Sequence, residues 1–171
     1  MNIKEELLKY PVQPREQALR IAEYASESAE HFQELMNCFL SGDVQLAQRA
    51  AWSVSWAAQK NPMFVQPHIG LLVKQLERTD VHDAVIRNSI RALADLDIPQ
   101  EFHGELLNAC FDLVQKRETP IAIKALSLTI LFKLSQIYKE IKNELRMIIT
   151  QNMDYESAAF VSRGKKILKK L

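Results

Sequence analysis

Four side chains that could bind a metal ion lie at helical spacing near the N-terminus: Glu23, Glu27, His31 and Glu34. Their offsets of i, i+4, i+8 and i+11 place them on one face if a single helix runs through Ser28. Carboxylates and an imidazole on one face could hold a metal ion. Di-metal helical bundles, however, repeat a Glu-x-x-His motif on two helices, and this sequence has no such pair of motifs. We therefore predict an acidic solvent face with no metal and no cofactor.

Residues suited to catalysis are scattered along the chain. Three histidines stand alone in the sequence: His68, His82 and His103. Glu105 follows His103 by two positions, so a helix would direct the two side chains to different sides. The four glycines form neither GxGxxG nor GxxxxGKS/T, the loops whose backbone N–H groups hold phosphates. The sequence therefore predicts no catalytic residues and favours a protein that is not an enzyme.

Trp52 and Trp56 are the only tryptophans, and they lie four residues apart on one predicted helix. Two such rings could stack on a base or clamp a ligand. Aromatic residues at helical spacing are usually part of a core, so the interpretation we favour is a core contact or a contact between repeats.

Charge is balanced overall and uneven along the chain. Lys and Arg number 22 and Asp and Glu number 21, whereas a dedicated nucleic-acid binder is usually strongly basic. Residues 1–43 carry 4 basic and 8 acidic side chains, and residues 155–171 carry 5 basic and 1 acidic. Nucleic-acid binding is therefore disfavoured, and the local excesses indicate solvated faces.

The two cysteines and the hydropathy pattern bear on location. Cys38 and Cys110 lie in separate apolar stretches without CxxC spacing, which is typical of buried free thiols in a reducing compartment. Residues 1–10 lack the apolar core of a signal peptide. The most apolar stretch is Ala125–Phe132, which is far shorter than the about 20 residues that span a bilayer. We predict a cytoplasmic protein without a membrane segment.

The elements that position these residues are helices in a repeated register. Four segments align on a basic residue, with spacings of 38, 37 and 39 residues: Arg49, Arg87, Lys124 and Arg163. Second amphipathic helices are predicted at about 63–78, 100–114 and 140–152, each with an apolar stripe on one face. A single helix pair cannot bury both of its faces, so stacked pairs share one core.

This register predicts one domain over residues 1–171. Residues 1–43 form N-terminal capping helices, residues 44–154 form three repeats, and residues 155–171 form a C-terminal capping half-repeat. The lysine-rich outer face of the last segment is typical of a cap.

The period of about 38 residues resembles that of HEAT-like, armadillo-type helical-repeat proteins, whose repeats run to roughly 40–47 residues. The resemblance covers about residues 44–171. It implies an all-α, right-handed superhelix, a solenoid of HEAT-like helical hairpins, with the role of a scaffold that binds a protein or peptide on its concave face. Some HEAT-like proteins are DNA glycosylases for alkylated bases, which implies an alternative nucleic-acid-binding function.

Three segments carry a second resemblance: "RAAW" at 49–52, "IAIKALS" at 121–127 and "SAAFVSRGKKILKKL" at 157–171. With them the whole chain resembles short bacterial HEAT-like proteins, some of which are labelled adenylosuccinate lyase. Lyases of that superfamily carry a GSSxMPxKxN-like loop with a serine base, and no glycine of this chain has a Gly-Ser-Ser neighbourhood. The lyase is therefore the least favoured function.

The second helices of HEAT-like repeats usually line the concave face. Opposite the core stripe, we predict that these helices present partner-binding residues: Lys74, Arg78, Leu107, Phe111 and Arg146. An apolar pair flanked by cations suits a peptide with an acidic residue beside an apolar anchor. The alternative is that Phe111 packs inside the core.

Overall fold

The computed structural model describes all of residues 1–171 and contains helices and turns but no strand. It divides into two compact units, Met1–Asp97 and Ile98–Leu171. The first unit has seven α-helices: α1 (Ile3–Leu8), α2 (Arg15–Ala25), α3 (Ala29–Phe39), α4 (Val44–Lys60), α5 (Pro62–Val65), α6 (Ile69–Gln75) and α7 (Asp83–Asp95). The second has four: α8 (His103–Gln115), α9 (Ile121–Ser135), α10 (Lys142–Asn152) and α11 (Ala158–Leu168). The predicted all-α fold is confirmed.

Polar side chains fix where several helices begin. The Oγ atom of Ser28 accepts a hydrogen bond from the His31 N–H at 3.2 Å, and the Asp43 carboxylate accepts one from Leu46 N–H at 3.0 Å. Each cap satisfies a backbone donor that the first helical turn leaves free, and is worth about 1 kcal/mol. Short turns of 3-10 helix precede α6, α8 and α10. The predicted second helices at 100–114 and 140–152 therefore begin in a 3-10 turn, whereas the one at 63–78 begins as α5 and is interrupted by its 3-10 turn at Gln66–His68.

Helix packing in the first unit follows the predicted apolar stripes. Helix α4 packs against α2, α3 and α7, and α7 also packs against α6. The apolar stripe predicted for the helix at 63–78 is buried at every position: Val65, Ile69, Leu72 and Leu76. Full burial of such side chains is worth about 1.5–3 kcal/mol each, so these stripes supply much of the unit's stability.

The second unit is built around α9. Helix α9 packs against α8, α10 and α11. A Cβ atom on Gly164 would lie 2.7 Å from the Ile149 Cγ2 atom, closer than real Cβ contacts allow. Glycine at this position lets α11 approach α10 closely, and that approach fixes which face of α11 is left for solvent.

The cysteines are free and buried, as predicted. Burial raises the pKa of the Cys110 thiol, and it raises the pKa of Cys38 as well. Both thiols are therefore protonated at neutral pH, and a protonated thiol is a poor nucleophile.

The four aligned basic residues occupy corresponding stretches of α4, α7, α9 and α11, but their surroundings differ. They lie between the fourth and sixth residue of their helices. Arg49 and Lys124 are buried, whereas Arg87 and Arg163 are exposed. The repeated register therefore places the residues correctly, and the local neighbours decide which of them stabilise the fold.

His68 gives the first unit a stability that depends on pH. The side chain is buried beside Phe32, with 5.4 Å between ring centroids, and burial lowers the pKa of His68 below its ordinary value. Below about pH 6.5 the unfolded chain binds a proton at this imidazole that the folded chain does not, so stability falls as the pH drops. A single proton limits the slope to about 1.4 kcal/mol per pH unit.

We expect His68→Gln to remove this contribution. The free energy of unfolding, measured by urea denaturation at pH 7.5 and pH 5.0, should fall less in the variant than in the wild type. The other histidines remain in both proteins, so the difference between the two pH dependences isolates His68. An equal or larger fall in the variant would contradict this assignment.

Candidate functional site

The predicted acidic face near the N-terminus is not one face of one helix. Helix α2 ends at Ala25, and Ser28 caps the start of α3, so the spacing through Ser28 is interrupted. The Glu23 carboxylate instead accepts a bond from Lys60 Nζ at 2.6 Å. His31 stacks on Tyr24 with ring centroids 3.9 Å apart. Nowhere in the chain do three side chains come together in a group that could hold a metal ion.

His103 is held by two structural hydrogen bonds. Its Nε2 atom lies 2.8 Å from the carbonyl oxygen of Ile98, and its Nδ1 atom lies 2.9 Å from the Tyr138 hydroxyl. Because a carbonyl can only accept, Nε2 donates to it, and in the neutral imidazole Nδ1 is then the acceptor for the Tyr138 hydroxyl. Both ring nitrogens are occupied by these contacts, so His103 positions the start of α8 and is not a free general base.

The two tryptophans lie half-buried on α4. The Arg15 guanidinium of α2 stands 5.8 Å from the ring centroid of Trp56, a cation–π contact between neighbouring helices. The Nε1 atom of Trp56 is buried without a hydrogen-bond partner. Trp56 therefore contacts a neighbouring helix, as the favoured interpretation expects of that ring.

The predicted apolar pair lies together in a cleft of the second unit. Leu107 and Phe111 are one turn apart on α8, and each is partly exposed. With Ile141, the residue directly before α10, they line a cleft with a volume of about 580 Å³. Phe111 is neither fully buried nor fully exposed, so it contributes to the unit's packing and presents apolar surface to solvent.

The polar wall of this cleft is acidic. Asp112 and Glu144 line it, together with the neutral side chains of Asn108 and Gln115. Arg146, which we predicted beside the apolar pair, is exposed on α10 and does not line the cleft; its Nη1 atom donates to Asn143 Oδ1 at 3.1 Å. Sequence reasoning missed the two carboxylates because it counted only cations beside the apolar face, although Asp112 directly follows Phe111.

The two remaining predicted residues belong to the first unit. Lys74 is exposed on α6, and Arg78 lies three residues beyond the end of that helix. The Arg78 guanidinium donates to both oxygens of the Asp80 carboxylate, at 2.9 and 2.7 Å. These bonds lower the pKa of Asp80 below its ordinary value. Asp80 therefore offsets much of the charge of Arg78, and Lys74 is the freer cation of the two.

Comparison with known proteins gives a family match over almost the whole chain. The model of the HEAT repeat domain matches residues 5–171. The predicted resemblance to HEAT-like repeat proteins is confirmed, and the match does not confirm the adenylosuccinate lyase label. Comparison with curated proteins and with solved structures finds no match. No helix has both the length and the apolar character needed to cross a membrane.

Proposed function

This chain belongs to the HEAT repeat family, and from that premise we propose that it is a non-catalytic scaffold that binds a protein partner through the face of its second helices. We expect that face to be the concave one. The observation that carries the proposal is the cleft beside Leu107 and Phe111. A partly exposed aromatic residue in a concave surface is a common anchor point for protein partners.

The cleft favours a partner segment of a particular chemistry. Leu107, Phe111 and Ile141 would contact an apolar side chain of the partner, and the carboxylates of Asp112 and Glu144 would complement a lysine or arginine next to that side chain. We therefore propose that a partner residue of apolar type, flanked by a basic residue, occupies this cleft.

The three predicted cations have a different role in this proposal. Lys74 and Arg146 are exposed, and exposed charges mainly steer the approach of a partner. Arg78, which pairs with Asp80, contributes less. We propose that these residues attract acidic parts of the partner, whereas Leu107 and Phe111 provide the affinity.

Phe111→Ala is expected to weaken partner binding by about 1–3 kcal/mol, because it removes the apolar anchor of the cleft. A denaturant melt of the same variant should show a loss smaller than the about 3–5 kcal/mol typical of a fully buried phenylalanine. The experiment captures proteins on the tagged chain, identifies those lost with Phe111→Ala by mass spectrometry, and then measures their dissociation constants with purified components.

Ile137→Ala provides the matched control. Ile137 is an apolar residue of the same unit, 60% exposed, and does not line the cleft. A partner that depends on the cleft is retained by Ile137→Ala. If Phe111→Ala and Ile137→Ala retain the same proteins with the same affinities, the cleft is not the binding site. If Phe111→Ala destabilises the fold as much as the loss of a buried phenylalanine, the residue belongs to the core.

A further inference from the structure

A second concave surface lies between α9 and α11 in the second unit, and we call it the C-terminal groove. It has a volume of about 470 Å³. Its apolar floor includes Phe132 and Ile167, and its rim carries Arg163, Lys166 and Lys170. The C-terminal groove shares no lining residue with the cleft beside Phe111. It is therefore a separate surface that the proposed function does not use.

The charge of the C-terminal groove is uncompensated. No carboxylate lines it, and neither α9 nor α11 contains an aspartate or a glutamate. The Arg163 guanidinium donates a hydrogen bond to the Thr129 hydroxyl across the groove, whereas the side-chain ammonium groups of Lys166 and Lys170 form neither hydrogen bonds nor ion pairs. Three cations thus line one rim without a negative partner, although elsewhere in the chain Lys60 and Lys124 are paired with glutamates.

The spacing of the cations and the apolar floor together indicate the occupant. Arg163, Lys166 and Lys170 follow one another at i, i+3 and i+7, which is the spacing of one face of a helix. We propose that the C-terminal groove is a docking site for an acidic amphipathic helix of a partner protein. The carboxylates of the partner helix would pair with the three cations, and the apolar side chains of that helix would pack on Phe132 and Ile167.

Nucleic acid matches this surface less well. A phosphate backbone would satisfy the cations but would leave the apolar floor without a complement. The chain as a whole carries a formal net charge of only +1, whereas nucleic-acid binders are usually strongly basic. An amphipathic helix presents both carboxylates and apolar side chains on one face, so it fits both parts of the groove.

The probe is a pair of synthetic helix-forming peptides of about 15 residues, long enough to populate a helix. One carries Glu at i, i+3 and i+7 with Leu on the same face, and its match carries Gln in place of Glu. The full-length protein is titrated with each peptide, and binding is followed by fluorescence anisotropy and by amide NMR shifts. We expect saturable binding of the Glu peptide, with shift changes concentrated on α9 and α11, and at least about tenfold weaker binding of the Gln peptide.

Two variants of α11 locate the site. Lys166→Glu should weaken binding of the Glu peptide by about tenfold or more, because it reverses a charge on the rim. Lys165→Glu makes the same change one residue earlier, at an exposed lysine that does not line the groove, and should weaken binding by less than about twofold. Because both substitutions lie in the same turn, effects on helix stability and net charge are matched.

Several results would overturn the proposal. They are the absence of saturable binding of the Glu peptide, equal binding of the Gln peptide, or equal weakening by Lys165→Glu and Lys166→Glu. Tighter binding of a duplex oligonucleotide or of phosphatidylserine vesicles, lost in Lys166→Glu, would assign the groove to those ligands instead. A concentration-dependent dimer that Lys166→Glu abolishes would show that a second copy of the chain occupies it. None of these outcomes bears on Phe111, so failure here is distinct from failure of the proposed function.

Discussion

Arg49→Met is expected to lower the free energy of unfolding by about 3–5 kcal/mol and to release the N-terminal segment from the first unit. The Arg49 guanidinium donates to three backbone carbonyl oxygens, those of Leu7 and Tyr10 at 2.8 Å and that of Pro11 at 2.7 Å. Hydrogen bonds from a charged group are worth about 1.5–3 kcal/mol each, although bonds that share one group do not add. Methionine preserves much of the apolar stem and leaves all three carbonyls without their donor.

Arg87→Met is the matched control for this experiment. Arg87 occupies the corresponding place in the next repeat but is exposed, and exposed substitutions usually change stability by no more than about 0.5 kcal/mol. Urea denaturation gives the two free energies, and hydrogen exchange of the amides of residues 3–10 shows whether the loss is local. Equal effects of the two substitutions would mean that the bonds to the N-terminal segment are not what stabilises the unit.

The contrast between Arg49 and Arg87 also shows which features of the fold can be predicted from the sequence. Spacing and hydropathy predicted the helices, the apolar stripes and the register of Arg49, Arg87, Lys124 and Arg163, because burial of one face is a local property of each helix. The burial of a particular basic residue depends on what packs over it. The segment at Leu7–Pro11 covers Arg49, and Glu156 lies over Lys124; these contacts join residues more than 30 positions apart. Helical periodicity carries no information about such contacts.

The candidate site was predictable to the same limited extent. The i, i+4 spacing of Leu107 and Phe111 sufficed to place them together on α8. The acidic wall of their cleft was not predicted, because Glu144 comes from a different helix whose packing fixes where its carboxylate lies. The C-terminal groove was missed for a related reason. The sequence marks α11 as basic, but only the packing of α11 against α9 brings Phe132 beneath its lysines.

The second large effect is expected at the ion pair between Lys124 and Glu156. The Lys124 side chain is 4% exposed and the Glu156 side chain 14% exposed, so both charges lie largely away from water, and the ammonium donates to the carboxylate. Removing one partner from a buried pair leaves a charge that neither water nor protein compensates. We expect Glu156→Ala to lower the free energy of unfolding by about 3–5 kcal/mol.

An exposed pair of the same chemical type provides the comparison. The Lys60 ammonium lies 2.6 Å from the Glu23 carboxylate, but both side chains are more than half exposed. Glu23→Ala should therefore cost at most about 1 kcal/mol, because water solvates the remaining lysine. Equal losses for Glu156→Ala and Glu23→Ala would show that burial does not set the strength of these pairs.

The double variant Lys124→Met/Glu156→Leu separates the value of the pair from the cost of an unpaired charge. Replacing both buried charges with apolar side chains is often neutral or stabilising, because the desolvation penalty of the two ions disappears with their attraction. We expect this variant to be at least about 2 kcal/mol more stable than Glu156→Ala in the same urea denaturation. A double variant as unstable as the single one would indicate that Glu156 holds the start of α11 through its backbone or packing. In that case the ion pair would be a consequence of the local fold and not one of its causes.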